Sequence, residues 1–196
     1  APFRADHVGS LLRPPELLRA REQHQLGILS AGSLRQIEDR CIRDVVKMQE
    51  DIGLQSITDG EYRRTIWHAD FLRQINGVIV KEGVAAQRGV ARKFQSGDEE
   101  IERTPTRFEI AGGLKLSHGI ETDNFMYLAS VTNRTPKICI PSPTILHMRG
   151  GRDAIDRHAY PDMEGFYADL ARVYREEIRA LADLGCTYLQ LDDPNL

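Results

Sequence analysis

Apolar positions along the chain switch repeatedly between helical and extended spacing. Leu34, Ile37, Cys41, Val45 and Met48 recur at helical intervals until Gly53 stops the run. Ser33-Leu34-Arg35-Gln36 at its head has capping-box form, a hydroxyl followed three residues on by Gln. A second run follows Asp162, with Phe166, Leu170, Val173, Ile178 and Leu181 on one face and Gly185 as its stop. Pro14-Pro15 opens a helical segment over 16–25. Residues 62–75 read as helix with Ile66, Phe71 and Ile75 inward, and 122–131 as a shorter one.

Extended runs alternate with these helices. Residues 3–10, 55–59, 137–140 and 186–191 read as four strands, each ending in Gly-Ser, Ser-Pro or acidic residues. Residues 78–80 and 108–116 are strand-like and fit a hairpin arm at about 76–116. Between them the polar stretch 83–106, with Arg88, Arg92, Lys93 and Arg103, reads either as a solvated loop or as a lid. Regular strand–helix units with acids at the strand ends predict an α/β fold. It is the N-terminal half (strands 1–4) of a (β/α)8 TIM barrel. Such barrels take about 250 residues, so a truncated or incompletely observed protein is expected, and 1–196 is read as one half-barrel domain.

Composition narrows the function classes. The 196 residues are 41% hydrophobic and 28% charged with a net charge of −3, which argues against disorder and against a general polyanion-binding surface. Small, zwitterionic substrates fit better than nucleic acid. Cys41, Cys139 and Cys186 are widely spaced with no CxxC, a pattern of reduced thiols. No apolar run approaches the roughly 20 residues of a membrane helix, and the first residues show no secretory pattern. A soluble cytoplasmic protein is the expectation.

The densest chemistry lies at Ile57-Thr-Asp-Gly-Glu-Tyr-Arg-Arg64, where an apolar lead-in meets two carboxylates around a glycine. Leu189-Gln-Leu-Asp-Asp-Pro194 repeats the theme at the end of the fourth strand. With Arg4-Ala-Asp-His-Val-Gly-Ser-Leu-Leu-Arg-Pro14 and Ile140-Pro-Ser-Pro-Thr-Ile-Leu-His147, these stretches resemble the cobalamin-independent methionine synthase family. The resemblance is specifically to the shorter bacterial type with a single catalytic barrel.

The resemblance implies a zinc-dependent methyltransferase that moves a methyl group from a methylated folate to homocysteine. It implies that Gly9 and Ser10 help hold the amino acid, and that Glu61 and Asp192 bind its amino group. Two anionic acceptors suit an ammonium removed from water. The family's zinc is held by a His-x-Cys pair, a Glu and a distant Cys. All are expected C-terminal to residue 196, so no metal ligand is assigned in this chain. Two departures from the long enzymes stand out. The tryptophan they carry after the third-strand motif is replaced by Thr144-Ile-Leu-His-Met148, and Asp6-His7 replaces a hydroxyl-rich approach. Zinc-dependent thiol alkylation with another donor or thiol, as in epoxide–coenzyme M chemistry, is therefore the alternative. A non-catalytic half-barrel fragment is the rival from another class. Partners are small molecules, with a homo-oligomer or the missing half-barrel as the protein partner.

Several side chains keep two readings. Asp6-His7 is a catalytic acid–base pair or a structural hydrogen bond. His147 faces the substrate or forms wall. Asp59 shapes the turn or joins the site. Asp193 orients Asp192 or pairs with a base. Arg63 and Arg64 receive an anionic tail or bridge to nearby acids. Trp67 and Phe71 read as core.

Overall fold

The computed structural model describes residues 6–81, 92–96, 99–103, 106–148 and 150–194, with side chains of 92–103 left undescribed. Helices α1 (Pro15–Gln25) and α2 (Ala31–Asp51) precede the two-residue strand β1 (Ser56–Ile57). After the short α3 (Ala69–Leu72) come β2 (Asn76–Lys81), β3 (Arg92–Ser96), β4 (Glu99–Arg103) and β5 (Arg107–Lys115). Then follow α4 (Thr122–Val131), β6 (Thr135–Pro141), α5 (Ile145–Met148), a 3-10 turn at Gly151–Ala154, α6 (Met163–Asp183) and β7 (Tyr188–Asp192).

β1, β6 and β7 form a parallel sheet in that order, with Ser56 opposite Thr135 and Lys137, Cys139 and Pro141 opposite Tyr188, Gln190 and Asp192. Parallel neighbours require long crossovers, and α6 supplies the one between β6 and β7. Its Phe166, Leu170, Val173 and Leu181 are buried, and the Tyr174 hydroxyl donates to the Pro141 carbonyl at 2.8 Å. β2 and β5 pair antiparallel, and β3 with β4 form a separate antiparallel hairpin. The stretch read as loop or lid therefore contains a two-stranded ladder at 92–103. Arg88 lies outside the described residues.

The expected first strand is not formed: residues 6–10 join no sheet, and 3–5 lie outside the described residues. Their polar groups are met by side chains instead, since Lys137 Nζ donates to the His7 carbonyl at 2.6 Å and Gln190 to that of Val8 at 3.1 Å. This segment crosses the face of β6 that carries Lys137 and Cys139.

Three other expectations are corrected. α2 starts earlier than the capping box suggests, with Ser30 Oγ accepting from the Ser33 amide at 3.1 Å. The helix expected over 62–75 shrinks to Ala69–Leu72. Carbonyls that a helix would use are taken by two guanidinium groups: Arg13 reaches the Glu61 and Arg64 oxygens at 3.0 and 2.8 Å, and Arg21 those of Tyr62 and Arg64. Met48 and Ile178, expected inward, are 43% and 38% exposed, and the polar neighbours Gln49 and Glu177 are buried in their place. Gln49 brackets Thr58, accepting from its amide at 3.0 Å and donating to its carbonyl at 2.8 Å. Glu177 accepts the amides of Ile120 and Glu121, both at 2.8 Å, fixing the start of α4. A buried carboxylate or amide is tolerable only when so satisfied.

Candidate functional site

A hollow of about 500 Å³ opens where β7 ends, lined by Val8, Ser10, Glu61, Trp67, Gln190, Leu191, Asp192, Asp193 and Pro194. The turn after β1 supplies its deepest acid. Asp59 Oδ1 accepts the Glu61 amide at 2.9 Å, so Asp59 takes the turn-forming role. Gly60 and Glu61 both adopt the left-handed region, with φ of 69° and 58°. A Cβ at Gly60 would meet the Tyr62 ring at 2.8 Å, so glycine is required there. Glu61 pays about 1–2 kcal/mol for that backbone conformation, and its side chain is thereby turned into the hollow. Left-handed strain of this kind clusters at ligand sites.

Glu61 is 4% exposed. Arg64 lies 3.6 Å from its Oε1, while Oε2 is buried without a hydrogen-bond partner. Burial pushes its pKa up, Arg64 opposes that, and the Asp59 and Asp192 carboxylates reinforce it. Asp192 is also raised, first by burial, although Gln190 donates to it. Oxygens of Glu61 and Asp192 and the Cys139 sulfur lie within 4.8 Å of one another. The Cys139 thiol donates to the Val8 carbonyl at 3.1 Å, and burial with Asp192 nearby pushes its pKa up to about 12.

Arg64 anchors this cluster from behind. It pairs with buried Glu121 at 3.2 Å and donates to the Cys139 carbonyl. Burial alone would lower its pKa, but Glu121 and Glu61 hold it above the ordinary arginine value. Arg63 bridges Asp39 at 2.7 Å and lies over the Tyr127 ring at 4.7 Å. Both arginines are thus committed to protein acids.

Gly9, at φ 105°, packs so closely on Cys139 that a Cβ would stand 2.4 Å from its sulfur. Its carbonyl accepts from Thr58 Oγ1 at 2.8 Å, and Leu11 donates to the Gly60 carbonyl at 3.1 Å. These bonds bring Ser10 to the hollow beside Glu61. Asp193 accepts from the Ser142 and Thr144 hydroxyls at 2.9 and 3.0 Å.

Two expected site features take other positions. The Asp6–His7 acid–base pair is not assembled. Asp6 turns to Lys137 at 2.9 Å and the Tyr188 hydroxyl at 2.6 Å, because the fully buried Lys137 ammonium needs a counter-charge. Burial would raise the Asp6 pKa, but those partners hold it down to about 2. His7 lies outside the hollow, its Nδ1 accepting from the Gly9 amide at 3.2 Å, and burial and Lys137 lower its pKa. His147 also lies outside the hollow, edge-on to Phe166 and Tyr167 at 5.9 and 5.3 Å between ring centroids. Trp67, read as core, is half-buried: it packs against the core and also forms hollow wall, whereas Phe71 is fully core.

A family profile, the catalytic domain of the cobalamin-independent synthases, matches residues 3–196. The chain belongs to this family. It is 38% identical to YxjH of Bacillus subtilis (strain 168), a name that assigns no activity, over 98% of this chain and 48% of that one. A crystal structure from Listeria monocytogenes, provisionally named a vitamin-B12-independent methionine synthase, is 39% identical with a TM-score of 0.76. It is covered over 98% of this chain and 52% of that one. The 5-methyltetrahydropteroyltriglutamate–homocysteine methyltransferase of Thermotoga sp. (strain RQ2) is 25% identical over 98% of this chain and 24% of its own length. The chain thus spans about half of YxjH and of the Listeria protein. Among the described residues, no helix is long and apolar enough to cross a membrane.

Proposed function

We propose that this chain is the N-terminal half of a TIM barrel with a hairpin insertion, and that it supplies the amino-acid grip of a thiol S-methyltransferase. Homocysteine is the acceptor and a methylated folate the donor. One observation carries the reading: Glu61 and Asp192 face a single hollow, and Glu61 keeps a buried oxygen with no donor to satisfy it. An α-ammonium group would satisfy that oxygen and favour the ionised form of both carboxyls, whose pKa values are raised first by burial. Ser10, which lines the same hollow, would receive the substrate carboxylate.

Zinc is the expected cofactor of the family, and it would supply a stabilised thiolate as nucleophile. The residues here do not fit the His-x-Cys, Glu and Cys set, since Glu61, Cys139 and Asp192 include no histidine and one sulfur. In this reaction the chain holds and orients the amino acid, which is where an entropic advantage arises.

The decisive experiment is calorimetric titration of homocysteine into the whole protein and its Glu61→Gln and Asp192→Asn variants. Removing one charge-assisted hydrogen bond, worth about 1.5–3 kcal/mol, should weaken binding by about tenfold or more. Equal affinity in all three proteins would reject the assignment. A second reading keeps the acceptor and changes the donor. It is favoured because the residues after β6 carry His147 and no tryptophan, leaving Trp67 as the aromatic wall of the hollow. Turnover with a methylated folate would remove it.

A further inference from the structure

We infer that Glu61, Cys139 and Asp192 also form a site for a thiophilic divalent cation of the zinc class, built entirely within this chain. Their donor atoms lie within 4.8 Å of one another. Zinc–sulfur and zinc–oxygen bonds of about 2.0–2.3 Å require donors roughly 3.5 Å apart, so inward adjustment of about an ångström closes the set.

A second observation points to a ligand independently of the spacing. Glu61 Oε2 is buried and unpartnered, and Glu61 itself lines the hollow. Its other oxygen is held by Arg64, whose charge is already shared with Glu121 at 3.2 Å. Two carboxylates and a sulfur around one point make a mixed hard and soft donor set that suits zinc, cobalt or cadmium better than magnesium or calcium. On coordination the Cys139 S–H bond breaks, a metal–sulfur bond forms, and the proton leaves to solvent. Because Glu61 and Asp192 both line the hollow, a thiol or water entering it reaches the ion.

This ion is additional to the family's zinc, whose expected ligands differ in kind. It takes the place assigned above to the substrate ammonium, so the two cations exclude each other. That competition rests on the amino-acid reading, whereas the metal site does not.

Cadmium is the probe, added to the whole protein carrying Cys41→Ser and Cys186→Ser, two cysteines outside the cluster. An ultraviolet thiolate–cadmium charge-transfer band is expected. Cys139→Ser should abolish the contribution of about one ion per chain, with the matching proton release lost. Asp192→Asn, which keeps the sulfur, should weaken cadmium affinity by about tenfold or more. A band and stoichiometry unchanged by Cys139→Ser would overturn the proposal. So would cadmium affinity unchanged by Asp192→Asn. Should cadmium bind as stated while homocysteine shows no binding and no competition, the amino-acid reading falls and the metal site stands.

Discussion

Strand β6 carries two charged clusters on one face, two residues apart, and they are built in opposite ways. Around Lys137 the charges are paired: its ammonium meets Asp6 and the His7 carbonyl, and Asp6 also takes the Tyr188 and Ser56 hydroxyls. Around Cys139, Glu61 and Asp192 repel each other and one Glu61 oxygen has no donor. Lys137 and Glu61 are both buried, so the exposure of the central charge does not separate the clusters. The difference is satisfaction. A buried charge that has found its partners stabilises the fold by being left alone, and one that has not is waiting for something to arrive.

The largest effect should come from breaking the paired cluster. Asp6→Asn strips the counter-charge from a lysine with no exposure. The expected loss is about 2–3 kcal/mol of unfolding free energy, below the about 3–5 of a fully buried pair because the Asp6 side chain is 39% exposed. Chemical denaturation measures it, and adding Lys137→Met should restore part of the loss. The pH dependence has a definite sign. The Asp6 pKa is depressed in the folded protein, so its contribution is full above the ordinary value of 3.8 and is lost as pH falls towards about 2. The stability gap between the wild type and Asp6→Asn should therefore close across that window. A gap constant in pH would show that Asp6 acts through packing rather than charge.

The crossing segment links the two clusters, and Gly9 is its tightest point. Gly9→Ala brings a Cβ to 2.4 Å from the Cys139 sulfur in a backbone conformation, φ 105°, that side chains disfavour. A loss of about 2 kcal/mol is expected. Combining it with Cys139→Ala should recover the steric part and leave the backbone part. Equal losses in both backgrounds would mean that the sulfur contact is not the cause.

Much of this contrast was legible in the residue order. The parallel strands, the two long helices and the convergence of residues 61 and 192 follow from periodicity and from acids placed at strand ends. What periodicity missed lies one position away from what it found. Gln49 and Glu177 are inside where Met48 and Ile178 were expected, because each serves a backbone group that a neighbouring loop leaves open. Apolar spacing carries no information about such demands. The helix expected over 62–75 failed for a related reason, since Arg13 and Arg21 come from α1 and its approach to claim the carbonyls. Cys139 was passed over because its sulfur matters only through Glu61 and Asp192, which are distant in sequence. A buried thiol in strand alternation with Lys137 was the available sign.

The smallest expected change is also the sharpest test of the contrast. Glu61→Gln keeps the shape of the side chain and removes its charge from the unsatisfied cluster. Burial and the neighbouring acids raise the folded pKa of Glu61, so its favourable contribution is present below the ordinary value of 4.5 and is lost as pH rises through the folded value. At neutral pH without ligand, the variant should be no less stable than the wild type, with any gain on the order of 1 kcal/mol. The two proteins should converge as pH falls through the raised folded value towards 4.5 and Glu61 takes up its proton. Thermal unfolding across pH reads this directly. A clear loss of stability at neutral pH would place Glu61 with Asp6, as a structural acid whose needs are already met by Arg64.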